Sequence, residues 1–512
     1  MSAISLAESQ PPFIVAVDLG TSSARAYVYD SRARHVEGLA SQIAYRMTVK
    51  QDGGVEIDPD LLVQIAIQAL DQLHVSAESL LRGNEIAAVA LTTFWHAMMG
   101  VDSRGCAATP LYSWNDTRPR TAARNLRAKL NERTIHQRTG CMIHSSYWPA
   151  KLSWLQTYRS PLADNVARWI SIGDYLFFKL FGSTSCSTSM ASATGLFDQK
   201  HCDWDDEMLS AVSISRGNLP ELRDLDAPFT KLEGSYIQRW PLFSDAKWFP
   251  AVGDGACSNI GAGCFTRDSA AINIGTSGAL RVLWEPDGEV TAPRRGAWCY
   301  RADRRRVLIG GALSNGGDLI AWMRETLRVE PIDQVEALVA GMEPDSHGLT
   351  VLPFLSGERS TGWNDSARFL LSGATLDTTS AEIVRAGIES VAYRFAAIYD
   401  VISKSLEPRE VIASGAAAAA FPTWIQIIAD VLGRPVTLSS EREATSRGAA
   451  IMALEAMSFI PVIEMPAAMG SERGQVFQPD EKRHARYREA RERQEQLYQA
   501  VFGSPSINDW TE

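Results

Sequence analysis

Residues 13–30 read FIVAVDLGTSSARAYVYD, and this stretch decides the fold. An apolar run that starts at Phe13 leads into Asp18, then into a turn of one glycine and three hydroxyl residues. A second apolar run follows and ends at Asp30. The pattern predicts two β-strands joined by a tight turn. Such a turn presents several backbone N–H groups and hydroxyls at one point, an arrangement that can bind an anion without any net charge.

The same pattern occurs again at residues 271–284, which read AINIGTSGALRVLW. Gly275 lies 255 residues after Gly20, about half of the 512-residue chain, and both glycines are followed by Thr-Ser. A repeat at this spacing predicts two related halves. One such turn alone is most simply an ordinary hairpin. Two of them, one in each half, favour a pair of turns that clamp a nucleotide's phosphates across a cleft, with Arg25 adding a cation to the first turn.

The composition narrows the class of protein. The chain is 45% hydrophobic and 21% charged, which is typical of a globular protein with large buried cores. Its formal net charge of −10 argues against nucleic acid as a partner. We see no secretory signal, no membrane-spanning run and no CxxC pair among the seven cysteines, so we expect a cytoplasmic protein without membrane contacts. The oligomeric state is left open, and a homodimer is compatible with the sequence.

Strand-like and helix-like segments alternate along both halves, which predicts α/β layers. The stretch from about 130 to 250 is less regular and is expected to be an elaboration of the first half. The charged segment EKRHARYREARERQEQLYQ near the end predicts a solvated surface helix. The predicted strands are 85–92, 306–310 and 410–414, and the predicted helices are 61–73, 317–329 and 421–432.

Two aspartates are candidates for chemistry. A carboxylate beside a phosphate-binding turn is repulsive unless a cation bridges the two, so Asp18 is a candidate Mg²⁺ ligand. The plainer alternative is that Asp18 caps the turn. Asp254 lies between two glycines in VGDGACSNIGAG, residues 252–263, where a general base could meet a substrate hydroxyl. On this stretch alone, a simple turn aspartate is the favoured interpretation.

Four motifs in order resemble those of the FGGY carbohydrate kinases. DLGTSSAR resembles the first phosphate motif, GDGACSN the catalytic-aspartate motif, IGTSG the second phosphate motif, and SGAAAAAFPTWIQIIADVLG the adenosine motif. The resemblance covers nearly the whole chain. It implies an ATP- and Mg²⁺-dependent kinase with a duplicated actin-like (ribonuclease H-like) α/β fold, in which two domains enclose a central cleft. We expect an N-terminal domain at 1–252, a C-terminal domain at 253–470, and a charged helix and tail at 471–512.

The resemblance also implies residue roles. Asp254 matches the catalytic base, with contacts to substrate and metal, and Asp18 matches the carboxylate near Mg²⁺ and the phosphates. The expected nucleotide and phosphate contacts are Thr21, Ser22, Ser23, Arg25, Gly275, Thr276, Gly317, Gly415 and Ala416. The sequence departs from the family at Ala416, where a second glycine is usual, and the methyl group is expected to crowd the nucleotide.

The expected substrate site is polar and aromatic, as a polyol requires. Its candidates are Trp95, His96, Trp114, Asn115, Asp116 and His144, although core packing of each tryptophan and a structural role of each histidine are the plain alternatives. WNDTR resembles both xylulokinases and gluconokinases. Four stretches resemble gluconokinases more than xylulokinases: GDGACSN, the Ile-His of GCMIHSSYWPAKL, IGTSGALR and GERSTGWNDSAR. This resemblance implies phosphorylation of gluconate to 6-phosphogluconate. FWHAM matches neither subgroup. A xylulose or other polyol kinase, and a non-catalytic actin-like sugar sensor or scaffold, are the alternatives.

Overall fold

A computed structural model describes residues 3–81, 86–288, 290, 293–327, 329, 332–460 and 474–503. The first half is built on a sheet of five strands, which we number in chain order. They are β1 (Phe13–Leu19), β2 (Ser23–Tyr29), β3 (His35–Ala44), β4 (Ile86–Thr93) and β5 (Lys247–Gly253). Their order across the sheet is β5-β4-β1-β2-β3, with β1 antiparallel to β2 and parallel to β4.

The second half is built on a sheet of seven strands. They are β6 (Ser269–Ile274), β7 (Gly278–Trp284), β8 (Trp298–Arg301), β9 (Val307–Leu313), β10 (Glu410–Ser414), β11 (Val436–Leu438) and β12 (Val476–Phe477). Five of them, in the order β11-β10-β6-β7-β9, repeat the arrangement of the first sheet: β6 is antiparallel to β7 and parallel to β10. The two related halves that the repeat predicts, and the duplicated actin-like α/β fold that the resemblance implies, are therefore confirmed.

Helices pack against both sheets. In the first half, Pro59–Leu80 is a long helix that begins where Asp58 caps the Asp60 amide. The segment between 130 and 250 consists of short elements, as expected. Helices of the first half are Arg120–Lys129, Glu132–Thr139, Trp148–Tyr158, Ser160–Ala163, Ile172–Phe181, Thr188–Ser192, Asp206–Ala211 and Gly234–Arg239; those of the second are Asp254–Gly261, Gly317–Leu327, Ile332–Ala340, Ser380–Ser403, Ala416–Ala420, Pro422–Leu432, Ala444–Ala456 and Glu481–Phe502.

The predicted elements lie close to the observed ones. The strand expected at 85–92 runs from Ile86 to Thr93, with residue 85 outside the described residues. The boundary expected at 470–471, between the C-terminal domain and the charged helix and tail, also lies outside the described residues. Among the described helices, none is both long and apolar enough to cross a membrane.

The charged C-terminal helix, Glu481–Phe502, differs from the expectation of a solvated element. Tyr487, Ala490, Gln494 and Tyr498 form a buried stripe on its inner face. The Tyr498 hydroxyl donates to Glu358 at 2.5 Å, and Arg493 pairs with Asp345. The charged composition concealed this stripe because the buried positions hold tyrosine and glutamine rather than aliphatic residues.

Two helices that follow the two sheets cross at very short range. Asp254–Gly261 continues directly from β5, and Ala444–Ala456 packs on both Asp254–Gly261 and the first sheet. A Cβ atom on Gly448 would lie 1.8 Å from the Cys257 carbonyl oxygen, and one on Gly261 would lie 1.8 Å from the Ala444 carbonyl oxygen. Only glycine allows this approach of the two backbones. The crossing fixes the helix that begins with Asp254.

We predict that Gly448→Ala destabilises the protein, because the added methyl group meets backbone that cannot move away as a side chain could. The expected cost is about 1–3 kcal/mol, read as a lower Tm by calorimetry. Gly234→Ala is the matched control: no atom lies within 4 Å of its added Cβ, so the same change should leave the Tm unchanged or slightly higher. An unchanged Tm for Gly448→Ala would contradict the close crossing.

Candidate active site

The first Gly-Thr-Ser turn joins β1 to β2. Leu19 pairs with Ala24 across the hairpin, and the Gly20 amide donates to the Ser23 carbonyl at 3.0 Å. Thr21 and Ser22 lie at the tip, where they are accessible, whereas Ser23 is buried at the start of β2. The turn therefore presents its two tip residues to a ligand.

Asp18 and Arg25 are direct cross-strand partners just below this turn. Arg25 Nη1 lies 3.9 Å from Asp18 Oδ2 and 3.2 Å from Glu443 Oε2. Burial raises the pKa of Asp18 to about 7; Arg25 opposes the shift, and the charges of Asp254 and Glu443 add to it. Asp18 Oδ1 is buried and has no hydrogen-bond partner within the described part of the chain. An unpartnered carboxylate oxygen near two further carboxylates fits a hard cation such as Mg²⁺.

The second turn joins β6 to β7 and contacts the start of the helix Gly317–Leu327. The Gly275 amide donates to the Ser277 carbonyl at 3.0 Å, and the Gly317 amide donates to the Gly275 carbonyl at 2.8 Å. A Cβ atom on Gly317 would lie 2.7 Å from that carbonyl oxygen. Thr276 accepts at its carbonyl from the Gly316 amide at 3.0 Å. The second turn thus lies against a helix N-terminus, a favourable position for an anion.

The adenosine motif adjoins this turn. Gly415 follows β10 with φ +104°, and a Cβ atom there would lie 2.5 Å from the Ile274 carbonyl oxygen, so glycine is required. Ala416 begins the helix Ala416–Ala420 and is exposed. The structure therefore brings Gly275, Gly317 and Gly415 together, as the resemblance implies for a nucleotide site.

Asp254 is the first residue of its helix and is half-buried. The two glycines beside it make room for the Trp95 indole: Cβ atoms would lie 1.8 Å from the ring at Gly253 and 2.6 Å at Gly255. Burial raises the pKa of Asp254, and the charge of Arg281 opposes that shift. The carboxyl group is therefore a better proton acceptor than an ordinary aspartate.

Asp254 opens into a cavity of about 70 Å³ between the two halves. Four of the predicted residues line it, namely Trp95, His96, Trp114 and Asp254, and Ser277 and Gly278 of the second turn reach the same space. The remaining walls are Phe94, Ala279, Arg281, Trp298, Tyr300, Ala312 and Arg359.

Aromatic rings form one wall of the cavity. Trp298 and Tyr300 stack with centroids 4.0 Å apart and planes 6° apart, and Trp95 meets Tyr300 edge-on at 5.2 Å. The Tyr300 hydroxyl lies 2.5 Å from that of Tyr147. Since strand β8 belongs to the second half and Trp95 to the first, the wall is built from both halves.

The other predicted substrate residues do not line this cavity. Asp116 pairs with the Arg118 guanidinium, whose Nε lies 3.0 Å from Oδ1. His144 Nε2 lies 2.9 Å from Asp365 Oδ1, a contact between the halves. Asn115 Oδ1 is buried and accepts no hydrogen bond from any residue that the structure describes. Sugar contacts of these three residues remain predictions.

Sequence reasoning missed several lining residues with charged or large aromatic side chains, among them Arg281, Arg359, Trp298 and Tyr300, and it also missed Glu443 beside Arg25. Arg281 and Arg359 both stand in motifs that were quoted for their resemblance but were given no role. An arginine inside the apolar strand β7 was an available signal, because a buried strand rarely holds an unpaired charge. Trp298 and Tyr300 gave no such signal, since alternating aromatic residues are ordinary in a strand.

Comparison with known proteins identifies the family. The profile of the "FGGY family of carbohydrate kinases, N-terminal domain" matches residues 13–261, and that of the C-terminal domain matches residues 270–457. A gluconokinase of Bacillus subtilis is 26% identical over 458 residues, which cover 87% of each chain.

Solved structures share the fold. A ligand-bound xylulose kinase of Lactobacillus acidophilus superposes with a TM-score of 0.86 at 24% identity, covering 98% of this chain and all of that one. A glycerol kinase of Plasmodium falciparum with ADP has a TM-score of 0.83 at 19% identity, with coverage of 98% and 100%. On both domain profiles, together with the duplicated fold, the chain belongs to the FGGY family of carbohydrate kinases.

Proposed function

We propose that the protein transfers the γ-phosphoryl group of ATP to a terminal hydroxyl of gluconate, giving 6-phosphogluconate. One observation carries the reaction type: Asp254 and the second phosphate turn line the same cavity. A base and a phosphate-binding turn that share one space can bring a hydroxyl and a phosphoryl group into reach of each other.

The proposed roles rest on the family's motifs, and the geometry of the site supports them. Asp254 accepts the proton of the sugar hydroxyl as the oxygen–phosphorus bond forms and the bond to ADP breaks. Thr21 and Ser22 in the first turn, and Gly275 and Thr276 in the second, bind the phosphates. Asp18 and Asp254 would hold Mg²⁺, which supplies charge neutralisation at the phosphates when bound. Trp95 excludes water from the side of Asp254 that it covers.

Gluconate is proposed over other acceptors for three reasons. GDG and IGTSGALR resemble gluconokinase motifs, a gluconokinase is among the relatives, and two of the three charged groups that line the cavity are cations. The glycerol and xylulose kinases among the similar proteins make neutral acceptors the alternative.

The substrate is tested with a coupled ADP-release assay over gluconate, other sugar acids, D-xylulose and glycerol. We predict the highest kcat/KM for gluconate or a close sugar acid, because only an acid balances the cationic walls. If D-xylulose or glycerol exceeded every sugar acid by tenfold or more, the gluconate proposal would be wrong while the kinase reaction would stand.

We predict that Asp254→Asn lowers kcat by at least about a hundredfold, because an amide cannot take the proton. ATP affinity should be nearly unchanged, since the phosphate turns are untouched. Single-turnover kinetics on protein with a normal Tm measures the effect, and Asp226→Asn, in a loop of the first half, is the control for the same chemical change. A folded Asp254→Asn enzyme with near-normal turnover would exclude Asp254 as the base.

We predict that Ala416→Gly tightens ATP binding severalfold, because the exposed methyl group stands beside Gly415 at the nucleotide site. Titration calorimetry measures the Kd. Ala419→Gly is the matched control, as it is an exposed alanine of the same helix and carries the same cost in helix propensity. Equal Kd values for wild type and Ala416→Gly would show that the alanine does not crowd the nucleotide.

A further inference from the structure

The charged groups of the cavity do not balance. Of the residues that line it, Arg281 and Arg359 are cations and Asp254 alone is an anion. A guanidinium stays protonated in proteins, so the excess positive charge is permanent. Burying such a charge is costly unless an anion compensates it. The free protein therefore has one positive charge that no anion compensates at the place where the substrate is proposed to bind.

Arg281 has unused hydrogen-bonding capacity. Its Nε and Nη1 atoms are buried and have no partner among the described residues. Burial lowers the pKa of Arg281 to about 10, and the nearby charge of Arg359 adds to that shift. Within the described part of the chain, neither arginine forms an ion pair inside 4.0 Å. A structural arginine at such depth would normally be paired.

Arg359 is held in place from the first half. Its Nη2 donates to His96 Nε2 at 3.1 Å, and its guanidinium lies over the Trp114 ring at 5.3 Å. Because Arg359 can only donate, His96 Nε2 must be the acceptor, and the proton of the neutral ring lies on Nδ1. That proton is donated to the Ala193 carbonyl at 2.7 Å. The buried Nε of Arg359 has no hydrogen-bond partner in the described ranges of the chain.

His96 is itself fixed by its surroundings. Its backbone has φ +67°, an uncommon value for a residue other than glycine, and its carbonyl accepts from Lys151 Nζ at 2.7 Å. Burial lowers the pKa of His96 well below its ordinary value, so the ring stays neutral and remains an acceptor for Arg359. His96 is thus a positioning residue for Arg359.

We propose that Arg281 and Arg359 together form a carboxylate subsite, which binds the acid end of an aldonate while its terminal hydroxyl faces Asp254. This inference rests on the proposed kinase function and names the residues that set its substrate class. A carboxylate restores the charge balance and accepts hydrogen bonds from the guanidinium groups of both arginines. A neutral polyol does neither.

The experiment compares gluconate with D-glucitol, which has a CH₂OH group in place of the carboxylate. In the wild type, kcat/KM for gluconate should exceed that for D-glucitol at least a hundredfold. Arg281→Gln and Arg359→Gln should each lower this ratio at least tenfold, mainly through a higher KM for gluconate. Arg359→Lys, which keeps the charge but loses the fork, should fall between wild type and Arg359→Gln.

The ratio of kcat/KM for gluconate to kcat/KM for D-glucitol distinguishes a carboxylate subsite from other roles of the two arginines. If the arginines only stabilise the transferring phosphate, or only keep Asp254 ionised, both substrates lose kcat equally and the ratio is unchanged. An unchanged ratio in either Gln variant with a normal Tm overturns the two-arginine subsite. Arg104→Gln, at an arginine of a surface turn that pairs with Asp102, is the matched control and should leave the ratio alone.

His96→Ala should lower the ratio through the KM for gluconate and leave the KM for ATP unchanged, because it releases Arg359. If the wild type prefers D-glucitol or another neutral polyol, the subsite is wrong and the kinase function stands. If no polyol or sugar acid accepts phosphate, the proposed function itself fails, and the subsite with it.

Discussion

The near-contact of two helix backbones at Gly261 and Gly448 is the constraint on which the site depends. It seats a helix from the end of the second half on the first sheet, so that this helix belongs to the core of the first half, while the second sheet has a core of its own. Because Asp254 begins one of these helices and Glu443 directly precedes the other, the same crossing sets where two carboxylates of the cleft stand. The close packing at two glycines thus determines where the carboxylates of Asp254 and Glu443 lie.

Contacts across the cleft come from side chains as well. Arg359 meets His96, Asp365 meets His144, and Tyr300 meets Tyr147, each pair joining the two halves. Burial raises the pKa values of Asp18 and Asp254, whereas the His144 and Arg127 charges bring the pKa of Asp365 to about 2 against the effect of its burial. Asp18 and Asp254, near the proposed phosphates, are therefore not fully compensated by positive charge. Asp365, which holds the two halves together, is compensated. That distribution suits a cleft in which a bound ligand or cation supplies the charge that compensates Asp18 and Asp254.

The fold could be predicted from the sequence because the signal is local. The Gly-Thr-Ser turns, Asp18 and Asp254 each lie in one short stretch whose strand–turn pattern fixes the backbone, and the repeat of that stretch reveals the duplication. The cavity could not be predicted in the same way. Arg281 and Arg359 are 78 residues apart in sequence, and the position of Arg359 depends on His96 and Trp114 from the other half, a pairing that only tertiary structure establishes. His144 shows the reverse case, as its motif resembles a substrate segment while its side chain contacts Asp365.

The two hairpins share the Gly-Thr-Ser turn but differ in their strands, and one of the differences removes a carboxylate. Asn273 stands where Asp18 stands in the first copy, and its amide lies near the Ser258 and Ser414 hydroxyls rather than near a cation. Two equal turns would give the cleft an approximate twofold axis, and an elongated polyanion could then enter in either direction. Exchange of one carboxylate for an amide removes that degeneracy. Divergence between the duplicated halves thus leaves a carboxylate, Asp18, on the first hairpin and a neutral amide, Asn273, on the second hairpin, which adjoins the adenosine motif.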